Sequence, residues 1–273
     1  MRILNLPKLL MAFLVVTTLL QSCKDDSFLR NTPPSPNQSF SEEFDSSSAA
    51  FARGWKIINN SVPQGGGIWQ NGGDALAPLF NAFSQQGSYV GFIGASYLGT
   101  TAAKGVISNW LISPSRLIKN GDKIIFFTRS QKVFGGGTDT TDFGNRLQVR
   151  INSYGDDLLV GSVQATFDNI ASPSAAYDNP GNFNNTILDI NPFLYEWHKN
   201  PTGNSLIDMR PFTPATTLQA YPVSWTRFEA TVSGLNAPIV SRFAFRYYVY
   251  KGGNDGFGTG VGIDKVEFKS AGY

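Results

Sequence analysis

The stretch Asn109 to Ser130, N-W-L-I-S-P-S-R-L-I-K-N-G-D-K-I-I-F-F-T-R-S, decides how the rest of the chain is read. It holds an apolar run closed by Ser113-Pro114, a turn at Asn120-Gly121-Asp122, and a second run from Lys123 to Arg129. Asn-Gly between two β-branched or aromatic runs predicts a reversal between strands. Neither run alternates cleanly, which predicts strands covered on both faces inside a layered β structure.

The composition around this stretch agrees with it. Of 273 residues, 28 are Gly, 15 are Pro and only 15% are charged, a balance suited to many short strands joined by turns. Twenty-one Phe, 10 Tyr and 5 Trp supply a substantial core. No long stretch outside the N-terminus carries the 3.6-residue period of an amphipathic helix. A chain of 273 residues has room for two domains, but all-β sandwiches of this size are often one.

Further strands are read at Phe40 to Asp45, Gly54 to Asn60, Ile68 to Gln70 and Tyr89 to Gly94. Arg146 to Asn152 is the cleanest period-2 element, with Leu147, Val149 and Ile151 on one face and Arg146, Gln148 and Arg150 on the other. Trp225 to Val232, Arg242 to Tyr250 and Ile263 to Lys269 close the chain. In Arg242 to Tyr250, Phe243, Phe245, Tyr247 and Val249 alternate against Arg242 and Arg246. Residues 153 to 222 are rich in Asn, Pro and Thr and show little regularity, the signature of a long functional or mobile insertion.

Residues 1 to 22 read as an export signal, with Arg2 and Lys8 before an apolar run from Leu9 to Leu20. That run is shorter than the roughly 20 residues a membrane span needs. Leu20-Gln21-Ser22-Cys23 resembles the bacterial lipobox, which implies cleavage before Cys23 and lipidation of its thiol. Buried acyl chains at about 0.8 kcal/mol per methylene then anchor the protein to a membrane. Lys24-Asp25-Asp26 resembles the acidic export tag of Bacteroidetes-type surface lipoproteins, against the simpler reading of a solvated spacer. Residues 23 to 39 end in a Pro- and Ser-rich segment and are expected to be a flexible tether. Cys23 is the only cysteine, so internal disulfides and cysteine-based metal sites are excluded. Arg2 and Lys8 account for the whole formal charge of +2, leaving a neutral mature chain with little drive toward nucleic acid.

Across residues 40 to 269 the order of elements resembles the cleaved-adhesin, or choice-of-anchor J, family. The resemblance rests on Phe44-Asp45, Gly54-Trp55, Asn109-Trp110-Leu111-Ile112-Ser113-Pro114, Trp225-Thr226-Arg227-Phe228 and Val261-Gly262-Ile263-Asp264-Lys265-Val266. It implies a jelly-roll β-sandwich over residues 40 to 273, related to carbohydrate-binding modules and non-catalytic, on the surface of a bacterium. It also implies a structural calcium ion where the first and last strands meet. Period 2 puts Asp264 on the face of Val266 and Phe268, and an inward carboxylate must be paired or metal-bound. Glu43 or Asp45 and backbone carbonyls would complete the calcium shell. The alternatives are an Asp264 that caps a turn or pairs with Arg242 or Arg246.

Tyr195, Trp197 and His198 lie in the long insertion. They read either as aromatic faces for stacking on a sugar ring or as anchors that pin the loop to the sandwich. Trp55, Trp110 and Trp225 sit within strands and read as core. His198 is the only histidine and has no nucleophile motif to partner, so a histidine-based triad is not expected. The pairs Glu42-Glu43 and Asp156-Asp157 are adjacent in sequence and point apart on a strand, so neither makes a glycosidase dyad. The expectation is a non-catalytic surface lipoprotein of the outer membrane that binds a glycan or an extracellular protein. Its alternatives are an accessory subunit of a polysaccharide-uptake complex and, last, a glycoside hydrolase.

Overall fold

The structure is a computed structural model that describes residues 36–84, 88, 90–134, 140–141, 143–164, 178–194, 198–199 and 220–272. The chain divides into two compact units, Met1–Asn37 and Gln38–Tyr273, and the second carries every described strand. The stretch read as a signal peptide, residues 1 to 22, lies outside the described residues, as do Cys23 and most of the segment read as a tether.

The first strands are β1 (Phe40–Glu42), β2 (Lys56–Asn59), β3 (Gln70–Asn71), β4 (Ile93–Ser96), β5 (Gly105–Ile112) and β6 (Arg116–Ile118). The middle of the chain gives β7 (Lys123–Ser130), β8 (Val133–Phe134), β9 (Thr140–Thr141), β10 (Leu147–Ile151), β11 (Ser162–Val163) and β12 (Asp178–Asn179). Then come β13 (Asn185–Ile190), β14 (His198–Lys199), β15 (Thr226–Thr231), β16 (Ile239–Ser241), β17 (Phe243–Gly252) and β18 (Gly260–Lys269). Among the described residues, helix is confined to α1 (Ser47–Ala52) and a 3-10 turn at Tyr97–Gly99. The Ser46 hydroxyl caps α1 by accepting the Ala49 N–H at 3.3 Å. Among the described residues no helix is long and apolar enough to cross a membrane.

Two antiparallel sheets face each other. One runs β15-β7-β18-β4-β3 with β1 added on β18, and the other runs β13-β10-β17-β5-β2. The chain changes sheet at most connections, as in a jelly roll, and one apolar core fills the space between. Phe126 of the six-stranded sheet meets Phe245 of the five-stranded sheet at 4.9 Å, and Phe243 stacks against Phe268 at 5.9 Å. Ring pairs of this kind add about 0.5–1.5 kcal/mol each beyond the area they bury.

The stretch Asn109 to Ser130 does form two buried runs, since every residue of β5 is buried. The Asn-Gly turn, however, does not close a hairpin between them: β5 lies in the five-stranded sheet and β7 in the other. The turn instead ties down the sandwich edge. The buried Asp122 carboxylate accepts the Lys119 N–H at 2.8 Å and the Ala271 N–H at 2.7 Å. Asn120 exchanges hydrogen bonds with the backbone of Leu235 at 2.7 and 3.0 Å.

Other differences are local. The strand read at Tyr89 to Gly94 lies instead at Ile93–Ser96. The stretch read as an irregular insertion contains β13, an edge strand paired with β10, together with the short pair β11 and β12. Its six residues, N-T-I-L-D-I, alternate poorly because a register shift interrupts the pairing with β10.

Asp264 does not share the face of Val266 and Phe268. A register shift between Asp264 and Glu267 in the pairing with β7, with Lys265 at φ 50°, inserts one extra residue into β18. Val261 and Ile263 before the bulge and Val266 and Phe268 after it all enter the core. Gly262 packs instead beneath Phe80 and Phe92, and Asp264 meets Phe83 and Ser84. The bulge resets the period-2 parity that simple alternation assumes.

Candidate functional site

Three of the expected metal ligands are described, and they do not come together. The Asp264 carboxylate is fully buried and accepts the N–H groups of Phe83 and Ser84, both at 3.0 Å, and the Ser84 hydroxyl at 3.1 Å. Asp45 is exposed, and Glu43 is half-buried beside the Ser41 hydroxyl. Glu42, not Glu43, is the buried acid of the first strand, and it binds Arg53 through both oxygens at 2.8 and 2.5 Å. Among the described residues no group of three His, Cys, Asp or Glu side chains could hold a metal ion. Calcium requires six to eight oxygens, and Glu43, Asp45 and Asp264 do not fit it. Arg242 and Arg246 are engaged elsewhere, with the Ser113 and Asp156 carbonyls and with Asp178 respectively. Burial pushes the Asp264 carboxyl up to about 6, against the opposing pull of its hydrogen bonds from Ser84 and Phe83.

Tyr195 and Trp197 lie outside the described residues. Of His198 the structure gives the backbone, which pairs with Thr141 in the small sheet β14-β9-β8. Trp55 is a core residue, in edge contact with Phe44 and Phe243 at 4.9 and 5.8 Å. Trp110 is buried too, but on the outer side of the five-stranded sheet beside Phe183. Trp225 lies on the outer side of the six-stranded sheet and donates its indole N–H to the Asn81 carbonyl at 2.9 Å.

The structure offers another site. A cleft of about 500 Å³ opens among the loops at 66–76, 97–102 and Asn254. Its floor is two backbone segments locked together. Gly65 and Gly67 donate to the Gly99 and Leu98 carbonyls, both at 2.8 Å. The Asn59 amide then donates to the carbonyls of Gly65, Gly67 and Gly99 at 3.1, 3.0 and 2.9 Å. Buried Asn109 adds a fourth such bond, to Gly67 at 3.0 Å. Glycine is required here by the close approach: a Cβ at Gly65 would stand 2.3 Å from the Leu98 oxygen, and one at Gly67 2.5 Å from the Leu98 carbonyl carbon.

The walls combine two chemistries. Gln70, Asp74, Thr100, Thr101 and Asn254 supply hydrogen-bonding groups, while Tyr97, Ile68, Leu76 and Leu98 supply apolar surface. Leu76 is 92% exposed, held at the tip of a turn in which its N–H reaches the Asp74 carboxylate at 2.8 Å. Among the described residues, Asp74 is the only carboxylate lining the cleft, and no histidine, cysteine, lysine or arginine lines it. The described lining can hold hydroxyl groups against an apolar wall, and among the described residues its one carboxylate is Asp74.

Sequence reasoning missed this site because its polar residues are scattered over nearly two hundred positions. The signal that was available is Gly65-Gly66-Gly67, a triplet that must sit against another backbone, together with the Gly252-Gly253-Asn254 loop. No family model matches the chain, and no curated protein matches it. Solved structures do. The K1 and K3 cleaved adhesin domains of Lys-gingipain from Porphyromonas gingivalis W83 are 18% and 15% identical. Each match covers 86% of this chain, with 99% and 100% of those chains and TM-scores of 0.44 and 0.45. A family 11 carbohydrate-binding module from Clostridium thermocellum, in complex with a β-1,3-1,4-mixed-linked tetrasaccharide, is 13% identical over 86% of this chain and 89% of its own, with a TM-score of 0.28. The β-sandwich described here rests on its own two sheets.

Proposed function

We propose that the chain is a non-catalytic binding protein of the cell surface, held to the outer membrane by lipid at Cys23, and that its cleft takes a neutral glycan. The observation that carries this reading is the cleft itself: a rigid, glycine-built floor between polar and apolar walls. Neutral sugars present hydroxyl groups at the edge of each ring and C–H groups on its faces. Gln70, Asp74, Thr100, Thr101 and Asn254 complement the first, and Tyr97, Leu98 and Ile68 the second. The lipobox-like Leu20-Gln21-Ser22-Cys23 and the neutral mature charge support the location and the absence of a nucleic-acid role. On this reading the protein stands with the cleaved-adhesin, choice-of-anchor J type of surface module.

The test is a glycan array followed by calorimetry. Wild-type protein should bind one class of neutral oligosaccharide, and Asp74→Ala with Asn254→Ala should weaken it about tenfold or more while the circular dichroism stays unchanged. Oligosaccharide binding that survives the double substitution unaltered contradicts the reading. The exposed side chains of Leu76, Ile68 and Leu98, at 92%, 39% and 39%, favour one competing reading, a protein partner in a surface assembly. Loss of partner capture in Leu76→Asp, with no glycan bound by the wild type, would establish that alternative.

A further inference from the structure

The sandwich has two ends, and the chain puts different things at each. β5, β10 and β18 finish at the end where β1, β7 and β17 begin. The loops that follow these strands are bonded to one another there. The Asn185 amide donates to the Ser233 carbonyl at 2.7 Å, and the Ser241 hydroxyl donates to the Asn152 carbonyl at 2.5 Å. Ser39, the residue before β1, accepts the Ser270 N–H on its hydroxyl at 3.0 Å, so the chain enters the sandwich at this same end. The cleft lies at the opposite end, where β4 and β17 finish.

The entry end holds apolar side chains in water. Tyr154, Leu158, Leu159 and Val240 are 38% to 68% exposed. The loop that carries the first three is stiff. The Asn152 side-chain oxygen accepts the N–H groups of Tyr154 and Gly155 at 2.9 and 3.1 Å. The Asp157 carboxylate accepts the Leu159 N–H at 2.9 Å and the Asn182 amide at 2.8 Å. Val240 joins this set through its neighbour Ser241, which bonds Asn152. A turn already fixed in this way gives up little further freedom when an apolar phase covers it. Tyrosine, with an apolar ring and a polar tip, suits the boundary between water and hydrocarbon.

We infer that the entry end docks on a lipid surface, with Tyr154, Leu158, Leu159 and Val240 in the headgroup layer. This rests on the lipid anchor proposed at Cys23. The sixteen residues from Lys24 to Ser39 join that cysteine to the entry end and reach at most about 55 Å. The membrane is therefore the partner that the chain's own linker keeps within range of these four side chains. Confinement on such a linker gives an effective concentration on the order of millimolar, so a patch too small to bind a free protein suffices. Docked in this way, the sandwich stands on its entry end and turns the cleft away from the membrane. None of the four residues lines the cleft, so the docking is independent of what the cleft holds.

Cys23 is the only cysteine, and acylation consumes its thiol, so one introduced thiol labels one position. The acylated protein is placed in vesicles of phosphatidylethanolamine and phosphatidylglycerol, with a fluorescent label at Leu159→Cys or, as control, at Leu76→Cys. Iodide, which stays in water, should quench the label at Leu159→Cys about threefold or more weakly than the label at Leu76→Cys. Tyr154→Asp with Val240→Asp, both at exposed positions, should erase the difference while the circular dichroism stays unchanged. Equal quenching at the two labels overturns the inference and leaves the anchor standing. So does protection that survives the double substitution, or protection that arises only in native outer membranes, which would assign the surface to a protein partner. Protein that washes off the vesicles, with Cys23 unmodified by mass spectrometry, overturns the anchor and the inference together.

Discussion

The two outer faces of the sandwich are closed in opposite ways. Over the six-stranded sheet the roof is aromatic: Phe80 stacks on Phe92 at 4.8 Å, Phe83 lies 3.9 Å from Phe127, and Trp225 meets Phe80 edge-on at 5.4 Å. One carboxylate, Asp264, pins that roof through Phe83 and Ser84. One cation, Arg129, lies 4.4 Å from the Phe80 ring centroid, and burial pushes its guanidinium down to about 10. Over the five-stranded sheet the roof is ionic, built from Arg146, Arg150, Arg246, Asp178 and Asp189 around Trp110 and Tyr248. A strand with alternating polar residues thus need not have a wet face. Loop segments can cover either kind of surface, but an ionic roof tolerates the loss of one member far less than it rewards the presence of the pair.

The largest effect expected from this contrast is in the aromatic roof. Phe92→Ala removes a fully buried ring and should cost about 3–5 kcal/mol in chemical denaturation. A loss below about 1 kcal/mol would mean that the roof is only loosely applied.

The ionic roof should show an asymmetry instead. Asp178→Ala strands the fully buried Arg246 and should cost about 3 kcal/mol, whereas Asp178→Leu combined with Arg246→Met should cost much less. Equal losses in the single and double variants would contradict the buried-pair account.

The pin between roof and sheet gives a pH signature. The folded-state value of Asp264, about 6, lies above its ordinary 3.8, so protonation favours the fold. Its contribution is complete below pH 3.8 and is lost as pH rises through about 6. At about 1.4 kcal/mol per pKa unit the change is on the order of 2–3 kcal/mol. Asp264→Asn keeps an acceptor for the Phe83 and Ser84 N–H groups and removes the charge. Its stability relative to wild type should therefore improve from pH 4 to pH 7, and a constant difference across that range would refute the buried charge. The smallest effect is at the cleft: Asp74→Ala should alter stability by less than about 0.5 kcal/mol.

Much of the sandwich was legible because its core obeys local rules. Leu147, Val149 and Ile151, and Phe243, Phe245, Tyr247 and Val249, all face the interior as their spacing requires. The failures have specific physical causes. The bulge at Lys265 shifted parity and moved Asp264 to the opposite face. The Asn120-Gly121 turn joins strands in different sheets, because turn chemistry fixes a reversal but not the partner. Arg150 and Arg246 look like surface residues in a period-2 pattern, since nothing local announces that residues near 160 and 180 will cover them. The cleft was illegible for the same reason: Gln70, Tyr97 and Asn254 meet only once both sheets have formed.

The most direct test of the central claim is a crystal structure of the protein with the oligosaccharide selected on the array. The account predicts a sugar ring in the loop cleft, with Asp74 and Asn254 bonded to its hydroxyls and Tyr97 or Leu98 against its C–H face. A ligand seated elsewhere, with that cleft filled only by water, would contradict it.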